Sequence, residues 1–130
     1  LVPLANESDV GFFVQEDVSL HKHHTLPNKL FEYIMAGLGV VVSDLPGMRR
    51  VVNEFGVGRL VSELSPQAVA TAINGLTRED VDLLKRRALE AARTLCWEVE
   101  AKLLLAAYEA AVRARRSIAA GLEPGSFGSA

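Results

Sequence analysis

Lys29 and Glu32 stand three residues apart in Pro27-Asn-Lys-Leu-Phe-Glu32, a segment that reads as the opening turns of a helix. The first turn of a helix presents unpaired backbone N–H groups and the positive end of the helix dipole, which together attract an anion. Dipole logic alone places an acid there, so a cation at Lys29 is a misfit that points to a phosphate. One turn on, Glu32 shares a helix face with Asn28 and Lys29, where its two oxygens can accept hydrogen bonds from a vicinal diol. Diphosphate plus ribose is the combination that a sugar nucleotide offers. Spacing alone also admits a plainer reading, an exposed Lys29–Glu32 ion pair worth ~0.3 kcal/mol.

Other reactive side chains carry weaker signals. His21, His23 and His24 sit together in a loop with no nearby cysteine and no acid at ligand spacing, so they read as solvated histidines rather than zinc ligands, and no metal is expected. Asp44, before Pro46-Gly47, reads equally as a ligand contact at a strand end and as a turn or cap residue. Cys96 is the only cysteine of the chain, which excludes an internal disulfide, and its apolar setting beside Trp97 predicts a buried structural thiol. Fourteen basic against sixteen acidic residues, with 6% aromatic content, make nucleic acid an unsuitable partner. No apolar run has the length of a membrane span and no signal peptide precedes the first strand, so the expected compartment is the cytoplasm, with the inner face of a membrane open to the full-length protein.

The elements that must position these residues follow from periodicity. Val10–Val14 and Gly39–Ser43 are short apolar runs that read as strands buried on both faces, the habit of parallel sheets. Between them Asn28–Ala36 has apolar residues at helical spacing, a proline before it and Gly37 after it. Pro46-Gly47 opens a second helix, with Met48, Val51, Val52 and Phe55 on one side, that closes at Gly56; Val57–Val61 is a third strand. The string β-α-β-α-β allows only crossovers between parallel strands.

From Ser65 onward the chain is helical: Ser65-Pro66 starts one helix, Thr77 to Asp80 resembles a capping box for the next, and Trp97, Ala101, Leu104, Tyr108 and Ala111 stripe the last. The fold expected is therefore α/β, a partial Rossmann-like arrangement of three parallel strands followed by three helices, over residues 1–120. Gly121–Ala130, rich in Gly, Ser and Pro, is expected as a loose tail. Such a sheet is incomplete. Its first strand should pair with strands from upstream, in keeping with a start at Leu1 rather than Met that reads as a truncation or domain boundary; the alternative is a homo-oligomer covering the bare edge. Ligands of open parallel sheets bind beyond the strand C-termini, which singles out Gln15–Asn28 and Asp44–Gly47 as the places for chemistry. The first of these is long for a strand-to-helix connection, as functional loops are.

Four blocks carry a resemblance to a known family: Ser8-Asp-Val-Gly-Phe12, Leu26-Pro-Asn-Lys-Leu-Phe-Glu-Tyr-Ile-Met-Ala-Gly37, Val40-Val-Val-Ser-Asp-Leu-Pro-Gly47 and Gly56-Val-Gly-Arg-Leu-Val61. In order and spacing they resemble the C-terminal half-domain of retaining GT-B glycosyltransferases, the "glycosyl transferases group 1" family. The resemblance implies transfer of a hexose from a UDP- or GDP-linked donor to an acceptor with retention, without a metal or other cofactor. It implies that Glu32 holds the ribose hydroxyls, that the backbone from Thr25 through Leu26 and Pro27 to Asn28 approaches the diphosphate beside Lys29, and that the family's first donor-site acid falls on His24. Further departures are Gly39 where the family often has proline and Arg50 where it often has glutamate. The acceptor site and main basic residues belong to an upstream Rossmann-like domain of the parent chain, so no catalytic residue is assigned here and the fragment is expected to be inactive alone. The competing reading is a non-catalytic α/β binding or assembly module in which His24 marks a lost activity.

Overall fold

The computed structural model describes residues 2–121, with side chains as far as Ile118. The chain divides into two units, Leu1–Leu95 and Cys96–Ala130, each described by itself. The first contains α1 (Val2–Ala5), β1 (Val10–Phe13), α2 (Leu20–His24), α3 (Asn28–Met35), β2 (Gly39–Ser43), α4 (Pro46–Phe55), β3 (Gly58–Val61), α5 (Pro66–Asn74) and α6 (Arg78–Ala92).

The sheet has the order β1-β2-β3 and is parallel throughout, as the crossover lengths predict. Its register pairs Phe13 with Val42 and Ser43 with Val61, which brings the C-terminal ends of all three strands to one side. β2 is central, and all five of its residues are buried. β1 departs from the expectation of burial on both faces: Phe12 is 41% exposed, because β1 is an edge strand with β2 as its one neighbour among the described residues.

Leu30 and Ile34 of α3, Met48 and Val51 of α4, and Ala88 and Ala91 of α6 close around Val40 and Val42 to form the core. α4 and α6 bury most of the apolar stripe that their spacing announced, whereas α3 buries Leu30 and Ile34 but leaves Phe31 half-buried and Met35 exposed. Close backbone approach explains two glycines. A Cβ at Gly58 would fall on the carbonyl of Val40, and a Cβ at Gly11 would meet the ring of Tyr33.

Local chemistry sets most element ends. Gly56 ends α4 at φ 61°, a left-handed position where glycine has no Cβ penalty. The Ser65 hydroxyl accepts from the Ala68 N–H to cap α5. Thr77 and Asp80 close the expected capping box on α6, with bonds of 3.0 and 3.1 Å.

Two short helices depart from the sequence reading. α1 occupies the chain before β1, where Asn6 Nδ2 donates to the Ala36 carbonyl at 2.7 Å and ties this segment to the end of α3. α2 interrupts the stretch taken as one long loop, with the Ser19 hydroxyl accepting from the Lys22 N–H at its start.

In the second unit α7 (Trp97–Gly121) is the one described element. It reaches the first residue of the expected tail, and 122–130 lie outside the described residues. Cys96, expected to be buried, is half-buried.

Candidate functional site

Because the strands are parallel, the connections after β1 and β2 leave from the same end of the sheet, and the two loops meet there. The approach is close: a Cβ at Gly47, in the first turn of α4, would lie 3.1 Å from the Thr25 carbonyl oxygen and 3.4 Å from that of His24. His24, Thr25 and Leu26, which lead into α3, are thus laid against the start of α4.

Pro27 precedes α3 in an extended conformation (φ −70°, ψ 140°), and no side chain caps the helix. The Leu30 N–H bonds back to the Pro27 carbonyl at 3.0 Å, while the amides of Asn28 and Lys29 have no acceptor among the described residues. Its first turn carries no acid. Unpaired amides at a helix start, at the C-terminal end of a parallel sheet, form a place for an anion.

Lys29 and Glu32 do not form the ion pair that their spacing allows. The Lys29 ammonium lies 5.8 Å from the centre of the Phe13 ring, at the tip of β1, a cation–π distance. Glu32 is half-buried, and its carboxylate has no hydrogen-bond or ion-pair partner among the described residues, while its carbonyl accepts from the Ala36 N–H at 3.0 Å. Both side chains line a groove between α1 and α3 whose other walls are Leu4, Ala5, Ser8 and Tyr33. Lys29 therefore stands near the strand tip and also lines the groove, whereas no residue of 24–28 lines it. Asn28 is exposed at the helix start and does not line this groove.

The remaining candidates have partners within the protein. Asp44 accepts from Arg49 Nε at 2.5 Å and from the Ser62 hydroxyl at 3.1 Å. The bond from Arg49 holds its carboxyl below the usual 3.8, against the opposing effect of partial burial. Of its two readings at the sequence level, the structure favours the turn-stabilising one.

His23 Nδ1 lies 2.6 Å from Asp17 Oδ2, and its ring meets that of His24 edge-on at 4.8 Å. Asp17 is the acid that sequence spacing missed, because six residues across a loop and a helical turn have no fixed geometry in sequence. The Thr25 hydroxyl donates to the His21 carbonyl at 2.9 Å, a local bond within the lead-in. No group of three or more His, Cys, Asp or Glu side chains that could hold a metal ion occurs among the described residues. No described helix is long and apolar enough to cross a membrane.

What sequence reasoning missed is the groove's outer wall. Leu4 and Ala5 come from α1, whose four residues carry no periodic signal, and Ser8 from the connection to β1. The start of α2 had a signal, Ser19 three residues before Lys22, in the position of an N-cap.

The chain is 39% identical over 84 residues to a phosphatidyl-myo-inositol mannosyltransferase of Mycobacterium leprae. That match covers 62% of this chain and 22% of the mannosyltransferase, so the chain spans under a quarter of the length of that relative. No family model matches, and neither does any solved structure. The chain is thus related in sequence to a glycosyltransferase.

Proposed function

We propose that this chain is the donor-binding portion of a retaining GT-B glycosyltransferase of the group 1 family, transferring a hexose from a nucleoside-diphosphate sugar. The observation that carries this reading is the start of α3. Its amides at Asn28 and Lys29 are open, the Lys29 ammonium stands at the strand tip, and the Glu32 carboxylate lies unpaired one turn on. The relationship to a mannosyltransferase supports the choice of donor class and makes GDP-mannose the first donor to test, with UDP-sugars beside it.

In this reading the diphosphate sits against the backbone from Thr25 to Asn28, with Lys29 offsetting its charge. Glu32 accepts from the ribose hydroxyls, and His24 faces the transferred sugar. The leaving diphosphate is stabilised by helix amides and cationic side chains, so the chemistry needs no metal from these residues. An upstream Rossmann-like domain of the same parent chain supplies the acceptor site, and the reaction takes place in the cytoplasm.

Calorimetric titration of the chain with GDP-mannose and UDP-sugars tests the proposal. Removing a hydrogen-bonded charged group costs about 1.5–3 kcal/mol, so Glu32→Ala should weaken binding roughly tenfold or more. Its unfolding midpoint should stay near that of the parent chain, since the Glu32 carboxylate makes no bond among the described residues. Absence of heat with both donor classes, or equal affinity in Glu32→Ala, favours the non-catalytic binding or assembly module instead.

A further inference from the structure

Ser43 is the one buried polar side chain among the described residues, 2% exposed at the end of a strand otherwise made of glycine and valine. Burying a hydroxyl is unfavourable unless it is hydrogen-bonded, and the partners of this one are informative. The Gln15 N–H donates to Ser43 Oγ at 2.7 Å, and Ser43 Oγ donates back to the Gln15 carbonyl at 2.9 Å.

The β1–β2 ladder ends at Phe13 and Val42. Gln15 is therefore beyond the strand, and one hydroxyl satisfies both of its main-chain groups as the chain leaves the sheet. The Gln15 side chain then donates to the Lys22 carbonyl at 3.3 Å and holds the last turn of α2. At the far end of the same loop, the Cβ-free face of Gly47 accommodates the His24 and Thr25 carbonyls. The β2–α4 turn thus grips the Gln15–Asn28 segment at its departure and at its arrival.

We propose that Ser43 and Gly47 are positioning residues for the donor site, setting where the His24–Asn28 backbone stands when a nucleoside diphosphate reaches α3. The inference rests on the donor-binding reading of α3. Neither residue touches the donor; both act through the loop. Ser43 sets its exit from β1, and Gly47 sets the height at which its last residues cross the strand tips.

The test pairs amide hydrogen exchange with calorimetry on GDP-mannose and UDP-sugars, for the parent chain, Ser43→Ala, Ser43→Thr and Gly47→Ala. Ser43→Ala should speed exchange across 15–28 about tenfold, since both Gln15 groups lose their partner, while β2 and α6 exchange as before. Donor affinity should fall by about the same factor, and Ser43→Thr, which keeps the hydroxyl, should recover both readouts. Gly47→Ala should speed exchange only near 24–28 and weaken the donor with Ser43's bonds intact. Unchanged exchange in 15–28 for both Ser43→Ala and Gly47→Ala overturns the proposal. So does faster exchange with undiminished affinity in a chain that binds donor. If Ser43→Ala loosens every segment alike, the Gly47→Ala result decides. A parent chain that binds no donor defeats the functional reading and with it the donor-site role, whereas the exchange data still report whether the turn holds the loop.

Discussion

α3 and α4 leave the same end of the sheet, and neither has a side-chain cap, yet their surroundings are opposite. At α4 the charged side chain at the helix start is engaged, since Asp44 joins Arg49 and the Ser62 hydroxyl, although the amides of Gly47 and Met48 have no acceptor among the described residues, as at α3. At α3 the amides of Asn28 and Lys29 stay open, the Lys29 ammonium faces the Phe13 ring, and the Glu32 carboxylate has no hydrogen-bond or ion-pair partner among the described residues. Both helix starts leave amides open, and they differ in their side chains, closed on one another at α4 and open at α3, a contrast that favours α3 over α4 as the proposed ligand site.

The same contrast extends into the sheet, and the largest predicted effect exploits it. Gly58→Ala puts a methyl onto the Val40 carbonyl, which is backbone in the central strand and cannot yield. A loss of about 3 kcal/mol or more is expected from urea unfolding. Gly11→Ala meets the Tyr33 ring instead, a half-buried side chain whose hydroxyl makes a single long bond of 3.4 Å to the Phe12 carbonyl. The atoms met are its Cβ, Cγ and Cδ2, the base of the side chain, so α3 must shift; because this is a helix side chain and not the central strand's backbone, a smaller loss of about 2 kcal/mol is expected. Equal losses would break the distinction between a rigid β2–β3 half and an adaptable β1–α3 half.

Next in size is the charge at the open helix. Lys29→Ala should weaken the donor roughly tenfold at low salt and less at high salt, because an exposed cation acting on a phosphate is screened. Arg49→Ala, which removes a cation already engaged with Asp44, should leave donor binding within about twofold. If Arg49→Ala weakened binding as much as Lys29→Ala, the closed site would be a ligand site too.

The smallest effect is in the acid range. Asp44 has its folded pKa held below 3.8 by Arg49, so its contribution is complete above that value and is lost as pH falls through the folded pKa. Unfolding midpoints measured from pH 6 to pH 2 should therefore decline less steeply in Asp44→Asn than in the parent chain. At neutral pH the substitution should cost about 1 kcal/mol or less, as expected of a partly exposed pair. Identical acid slopes would show that the pair does not tighten the α4 start.

Much of this was legible in the residues. β2 was readable because Gly39-Val-Val-Val-Ser43 is apolar on both faces, and its bounds match the strand residue for residue. α3 and α4 began at or beside their prolines and ended by Gly37 and Gly56, and the Thr77–Asp80 box closed as spacing predicted. β1 was readable as a strand but not as an exposed edge, since the run Val10–Phe13 has the same composition whether or not a neighbour covers it. α1 and α2 escaped notice because helices of four and five residues are too short to carry a period.

By itself, the sequence determined the order of the strands and the longer helices, most of their termini and the parallel sense of the sheet. Caps, left-handed glycines and crossover lengths act over a few residues and are written in the local text. Only the tertiary structure decided which polar groups would meet. Ser43 bonds to a residue 28 positions away, Asn6 to one 30 positions away, and Lys29 declines Glu32 for the ring of Phe13. Such pairings depend on distances that exist only once β1, β2 and α3 have packed, and the open groups of the candidate site are what that packing leaves unspent.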